Sequence, residues 1–152
     1  MIKQNRVIGD FLEIKLPNGK LAYARVLDKA SVAIYNVINK KALDISEVMK
    51  HDMLFTVAVY KDVIVDGRWR KIGNRPLEEG LKKLPMKFIQ DELSPDFFEL
   101  YNPNNGDIIP AKKEDCIGLE RASVWEAENV EERIVDHFNG KSNIWVEKMK
   151  LK

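Results

Sequence analysis

Leu12-Glu13-Ile14-Lys15-Leu16-Pro17-Asn18-Gly19-Lys20-Leu21-Ala22-Tyr23-Ala24-Arg25-Val26-Leu27 is the stretch that decides the fold. From Leu12 to Leu16 apolar and charged residues alternate strictly, which is the period of a half-buried strand. Pro17-Asn18-Gly19-Lys20 then turns the chain, since Asn and Gly both tolerate the positive φ of a tight hairpin. Leu21 to Leu27 returns as the partner strand, with Tyr23 and Arg25 on one face and Ala24 and Val26 on the other.

Reading outward from this hairpin, Ser31 to Val37 is β-branched and aromatic and predicts a third strand. A short helical turn is expected at Ser46 to Lys50. The nearly continuous apolar run Met53 to Tyr60 then suits a central strand buried on both faces. Asp66-Gly67 signals a turn into Arg68-Trp69-Arg70-Lys71-Ile72-Gly73, and Pro76 is placed to open a short helix through Lys83. Strands follow at Met86 to Gln90, Phe97 to Tyr101 and Asp107 to Ala111, with Asn104-Asn105-Gly106 turning between the last two. Ala127, Val130, Ile134 and Phe138 form a stripe at helical spacing, and Asn139-Gly140 supplies the stop for a helix over Ala127 to Phe138. Asn143 to Met149, with Ile144-Trp145-Val146 at its centre, reads as a final strand rejoining the sheet. The expected fold is α+β and β-rich. It is one domain over residues 1–152, a strongly bent antiparallel sheet or partial barrel with a few short helices and one longer C-terminal helix.

Composition narrows the function classes. A chain of 152 residues buries roughly two-thirds of its unfolded surface, enough for a core without staples. Its formal net charge of +1 gives no global field to draw nucleic acid or an anionic membrane. Cys116 is the only cysteine, so no disulfide can form within the chain, which fits a reducing compartment. The N-terminus does not read as a signal peptide and no apolar run approaches a membrane span, so the expected location is the cytoplasm.

Reactive constellations are not found. His51, His137 and Cys116 do not lie within helical reach of one another, so no metal site is expected. Acidic neighbours at Glu114 and Asp115 would raise the Cys116 thiol, the wrong direction for a nucleophile. No serine sits in a Gly-x-Ser-x-Gly elbow and no Gly-rich phosphate loop occurs. Asp91-Glu92, Glu114-Asp115 and Glu131-Glu132 are paired carboxylates in polar surroundings, as solvated surface charge would be. Catalytic residues, cofactors and metals are therefore not expected, and the alternative of an enzyme or enzyme accessory would need an unrecognised pocket that holds perturbed carboxylates.

Two charged segments remain. Arg68, Arg70, Lys71 and Arg75 surround Trp69, a pattern that could bind single-stranded nucleic acid by stacking and phosphate contact. Alternation puts Trp69 opposite both flanking arginines, which reads better as a core tryptophan beneath a solvated basic face. Between Glu114 and Asp136 stand eight acids against two bases, and Glu128, Glu132 and Asp136 recur every fourth residue along one helix face. Like charges at that spacing cost a few tenths of a kcal/mol per pair. A negative surface for a cationic partner would account for them, with Glu126, Glu128, Glu131, Glu132 and Asp136 as its contact residues.

Gly9-Asp10-Phe11-Leu12-Glu13-Ile14 and Pro17 to Leu27 resemble the opening of the bacterial polymorphic-toxin immunity protein 26 family. Leu54-Phe55-Thr56-Val57, Gly67 to Gly73, Gly118 to Trp125 and Val130 to Ile134 continue that likeness in order. The family's Trp-x-Gly motif is not reproduced, because Trp69 and Gly73 are separated by three residues. The resemblance implies a mostly β protein that blocks a cognate toxin, often a nuclease, by binding it. It brings no catalytic residue to carry over.

Overall fold

The Asn18-Gly19 turn closes as its chemistry requires. Gly19 adopts φ +83°, Asn18 Oδ1 accepts from the Lys20 amide, and Leu16 donates to the Lys20 carbonyl. In the computed structural model, which describes residues 2–152, this turn joins β1 (Asp10–Lys15) to β2 (Leu21–Val26). The chain continues through β3 (Ser31–Asn39), α1 (Ile45–Val48), β4 (Met53–Val59), α2 (Asp62–Val65), β5 (Arg70–Asn74) and α3 (Glu79–Lys82). It then runs through β6 (Lys87–Gln90), β7 (Phe98–Tyr101), β8 (Ile108–Ala111), α4 (Lys113–Cys116), β9 (Glu120–Arg121) and β10 (Val124–Trp125). The last elements are α5 (Ala127–Phe138) and α6 (Ile144–Met149).

The β-rich α+β class is observed, with one longer helix near the C-terminus. The strands form two open sheets, a six-stranded one in the order β10-β4-β3-β2-β1-β5 and a four-stranded one in the order β8-β7-β6-β9. Pairing is antiparallel except at β10–β4 and β6–β9, which are parallel. The consecutive short strands β9 and β10 therefore stitch one sheet to the other. Lys87 adds a second stitch, its Nζ donating to the Thr56 carbonyl at 2.7 Å.

Both faces of the first sheet are covered. On one face Leu12, Ile14, Ala24, Val26, Ile34, Val57 and their neighbours pack with Trp69, Trp125 and the Ala127, Val130 and Ile134 stripe of α5. Each such aliphatic side chain contributes about 1.5–3 kcal/mol relative to exposure. On the other face Phe11, Tyr23, Tyr35 and Val37 meet Val48 of α1, and Leu27 and Ala33 meet Leu84. Arg25, fully buried there, lies 4.1 Å above the Phe11 ring and donates to the carbonyls of Gly9, Arg75 and Pro76. It thereby straps the segment after β5 across the sheet.

Several local expectations are corrected. The first strand is not half-buried: Glu13 is buried and takes its counter-charge from Arg70. Met53 to Val59 lies near the sheet edge, flanked outside only by the two-residue β10, and its outward residues are only partly covered. Pro76 does not open a helix. Its carbonyl is engaged by Arg25, and α3 begins at Glu79. Residues 144–149 are a helix rather than a strand, because Asn143 caps the amides of Trp145 and Val146 and so starts a turn. The short helices α2 and α4 carry no periodic signal long enough to read.

Candidate functional site

Helix α5 offers its apolar stripe to the first sheet and turns its acids away, with one exception. Glu131 is buried, and its carboxylate receives three donors. Arg68 donates through Nη2 to Oε1 at 2.9 Å and through Nε to Oε2 at 3.0 Å, while the Trp69 indole donates to Oε2 at 3.0 Å. The third nitrogen of Arg68, Nη1, reaches Glu128 at 2.7 Å. Hydrogen bonding to Glu131 and the nearby acidic charges hold the Arg68 guanidinium above its ordinary pKa, outweighing its partial burial.

Each acid of the charge ladder accepts a hydrogen bond, but only Glu128 is paired with a charge. Glu128 has Arg68, Glu132 accepts from the Trp145 indole at 3.0 Å, and Asp136 accepts from the Asn143 side chain at 2.9 Å. The last two partners come from the segment read as a strand, which is why the sequence hid them. Glu126, exposed at the N-cap position, makes no side-chain capping bond. Of the five expected contact residues, Glu126, Glu128 and Glu132 face solvent, Asp136 is half-buried, and Glu131 is unavailable to a partner. The Arg133 guanidinium forms a bidentate pair with Glu120 at 2.7 and 2.9 Å and sits 3.7 Å over the Phe55 ring. It fixes α5 to the seam of the two sheets.

The basic segment is likewise partnered. Trp69 is fully buried, as a core tryptophan should be, but Arg68 does not join Arg70 on a free basic face. Arg68 turns to α5, Arg70 to Glu13 at 3.1 Å and Lys71 to Asp10 at 3.0 Å. Arg75 remains exposed, and its guanidinium bonds only the Asn74 carbonyl among the described residues. Three of these four charges are engaged before any phosphate arrives.

Among the described residues no three His, Cys, Asp or Glu side chains gather as metal ligands. His51 and His137 are exposed, whereas Cys116 is buried. Burial first, and then the charge of Asp115, pushes its thiol up. At the seam between the sheets lies a hollow of about 370 Å³ walled largely by Ala30, Ala58, Ala122, Pro103 and Val124. The buried Lys87 on its wall is already bonded to Thr56. No helix of the described chain is long and apolar enough to cross a membrane.

Residues 7–99 match the family described as Immunity protein 26, from the approach to β1 into β7. The chain belongs to the immunity protein 26 family. No curated protein and no solved structure matches it. The matched span of this immunity protein includes Gly9, Arg25, Trp69 and the loop between β6 and β7. It stops short of α5, so the acids of that helix lie outside what the family match covers.

Proposed function

We propose that this immunity protein neutralises a cognate toxin domain by binding it, without a catalytic step of its own, and that the toxin is a cationic enzyme such as a nuclease. The family match over residues 7–99 carries this reading. The architecture supports it, because charged side chains that could have formed a reactive set are spent on one another. Arg68 serves Glu131 and Glu128, Arg133 serves Glu120, and Arg25 serves backbone carbonyls. What the fold offers instead is a stiff body with a shaped exterior. Neutralisation needs rapid capture and slow release, and a preorganised surface serves both. The exposed carboxylates Glu126, Glu128 and Glu132 would steer a basic partner toward α5.

The test uses the C-terminal domain encoded by the neighbouring reading frame, induced in a bacterial host with and without this chain. Relief of growth arrest together with recovery of a stoichiometric complex is the expected outcome. Persistent arrest with no complex would reject the reading.

A further inference from the structure

From Phe88 to Ala111 the chain carries five acids (Asp91, Glu92, Asp96, Glu99 and Asp107) and not one Lys or Arg. Among the described residues none of these five takes part in an ion pair, whereas Glu128 and Glu131 of α5 both pair with Arg68. Within this stretch, at the tip of the β6–β7 hairpin, Leu93 is 96% exposed and Phe97 51%. A leucine so completely in water, bracketed by Glu92 and Asp96, has no structural work to do inside its own chain.

The loop that carries it is fixed. Asp91 Oδ1 accepts from the amides of Leu93 and Ser94, both at 2.8 Å. The Phe97 amide donates to Ser94, the Asp91 amide donates back to Phe97, and the Gln90 side chain holds the Pro95 carbonyl. An apolar anchor on a preorganised backbone binds without the entropy loss of ordering a floppy loop.

We propose that this loop is the anchor of the partner interface, with Leu93 and Phe97 entering an apolar pocket of a protein domain whose pocket rim carries Lys or Arg. The proposal rests on the immunity reading and adds the apolar anchor that the steering acids of α5 do not supply. Charge chooses the occupant. A second copy meeting the same patch would set Glu92 and Asp96 against their own counterparts, whereas a cationic rim complements them. Arg121, Lys148 and Lys152 share a hollow of about 550 Å³ with Asp91 and Glu92 but pair with neither, so the carboxylates stay free while the acidic field is short in range. The apolar anchor therefore carries most of the affinity, and the acids tune association.

The experiment measures binding of the same neighbouring-frame domain to the full chain, L93S, E92K/D96K and E126K by interferometry at low and high salt. Loss of a buried central anchor raises Kd by about thirtyfold, mainly through faster release, so L93S should do so. E92K/D96K should slow association several-fold at low salt and little at high salt. The melting temperature of L93S should match wild type, separating lost contact from lost folding. L93S binding within twofold of wild type, or a wild-type dimer that L93S dissolves, would overturn the proposal while leaving the immunity reading intact. No binding by wild type would overturn both.

Discussion

The Trp69 indole and the Glu131 carboxylate meet at 3.0 Å across 62 positions of sequence, joining the entry to β5 to the middle of α5. Trp69 is fully buried and needs an acceptor for its one donor, and Glu131 is buried and needs donors for its charge. Each satisfies the other, and Arg68 completes the set from the half-exposed side. Glu131→Ala should destabilise the protein by about 3 kcal/mol, because it orphans a buried indole and strips the guanidinium of its better partner. Arg68→Ala should cost less, about 1–2 kcal/mol, because Glu131 keeps the indole donor and water enters on the half-exposed side that Arg68 vacates, while the solvent-facing pair with Glu128 is worth little. Urea unfolding of the two variants checks the order, and equal costs would show that Arg68, not Trp69, is what Glu131 serves.

Arg25 carries its charge into the sheet with a counter-ion that is itself half exposed, so carbonyl oxygens do most of the compensation. It donates to Gly9, Arg75 and Pro76 at 2.8, 2.7 and 3.0 Å, and to Glu78 at 3.0 Å. Arg25→Leu should cost about 4 kcal/mol or more, because several buried acceptors lose a charged donor together. Glu78→Gln should cost under about 1 kcal/mol. The nearby Gly9 sits at φ +92° with a would-be Cβ only 2.3 Å from the Arg75 carbonyl oxygen, so Gly9→Ala must push the strap off the sheet. Chemical denaturation of all three ranks them, and a mild Arg25→Leu would mean the strap is held by packing alone.

What the sequence made legible follows from the range of the interaction. The first hairpin, the β3 run and α5 were readable because period and turn chemistry act over a few residues. The half-burial expected of Leu12 to Leu16 failed because Glu13 looks like a surface residue until Arg70 is brought to it from 57 positions away. The same blindness shaped the site. Glu128, Glu132 and Asp136 read as a ladder without partners, because Arg68, Trp145 and Asn143 approach only through tertiary structure. The acid-framed Leu93 was written in plain sequence, yet exposure is a property of the folded surface and not of the residue type.

Asn143 is the residue that turns an apparent strand into a helix. Its Oδ1 accepts from the amides of Trp145 and Val146, and its Nδ2 donates to Asp136 at the end of α5. Asn143→Ala removes the cap and the link together and should cost about 1–2 kcal/mol. Asn143→Asp keeps the cap but sets two carboxylates face to face. Hydrogen exchange should show residues 144–149 opening in Asn143→Ala while α5 stays protected. Uniform loss of protection through α5 would mean that α6 is not a separately opening unit.

Lys87 offers a test by pH. Burial pushes its ammonium below the ordinary lysine value of 10.5, with the charge of Glu120 opposing that shift and Arg133 adding to it. Between the folded and unfolded values the unfolded chain holds more protons on this lysine, so its contribution to stability rises with pH and levels off above about 10.5. Tyr23 and Tyr35 act in the opposite sense. Burial pushes both phenols up from 10.0, the folded state keeps protons that the unfolded state has released, and stability falls as pH climbs past that value. Lys87→Met retains the stem, drops the ammonium and leaves the tyrosines in place, so subtracting its stability from that of wild type isolates the lysine. The unpaired Thr56 carbonyl in the variant adds only a constant offset. The difference should shift in favour of wild type as pH rises from about 8 to about 10.5, and a flat difference would show that the Lys87 ammonium is as well solvated in the fold as in the open chain.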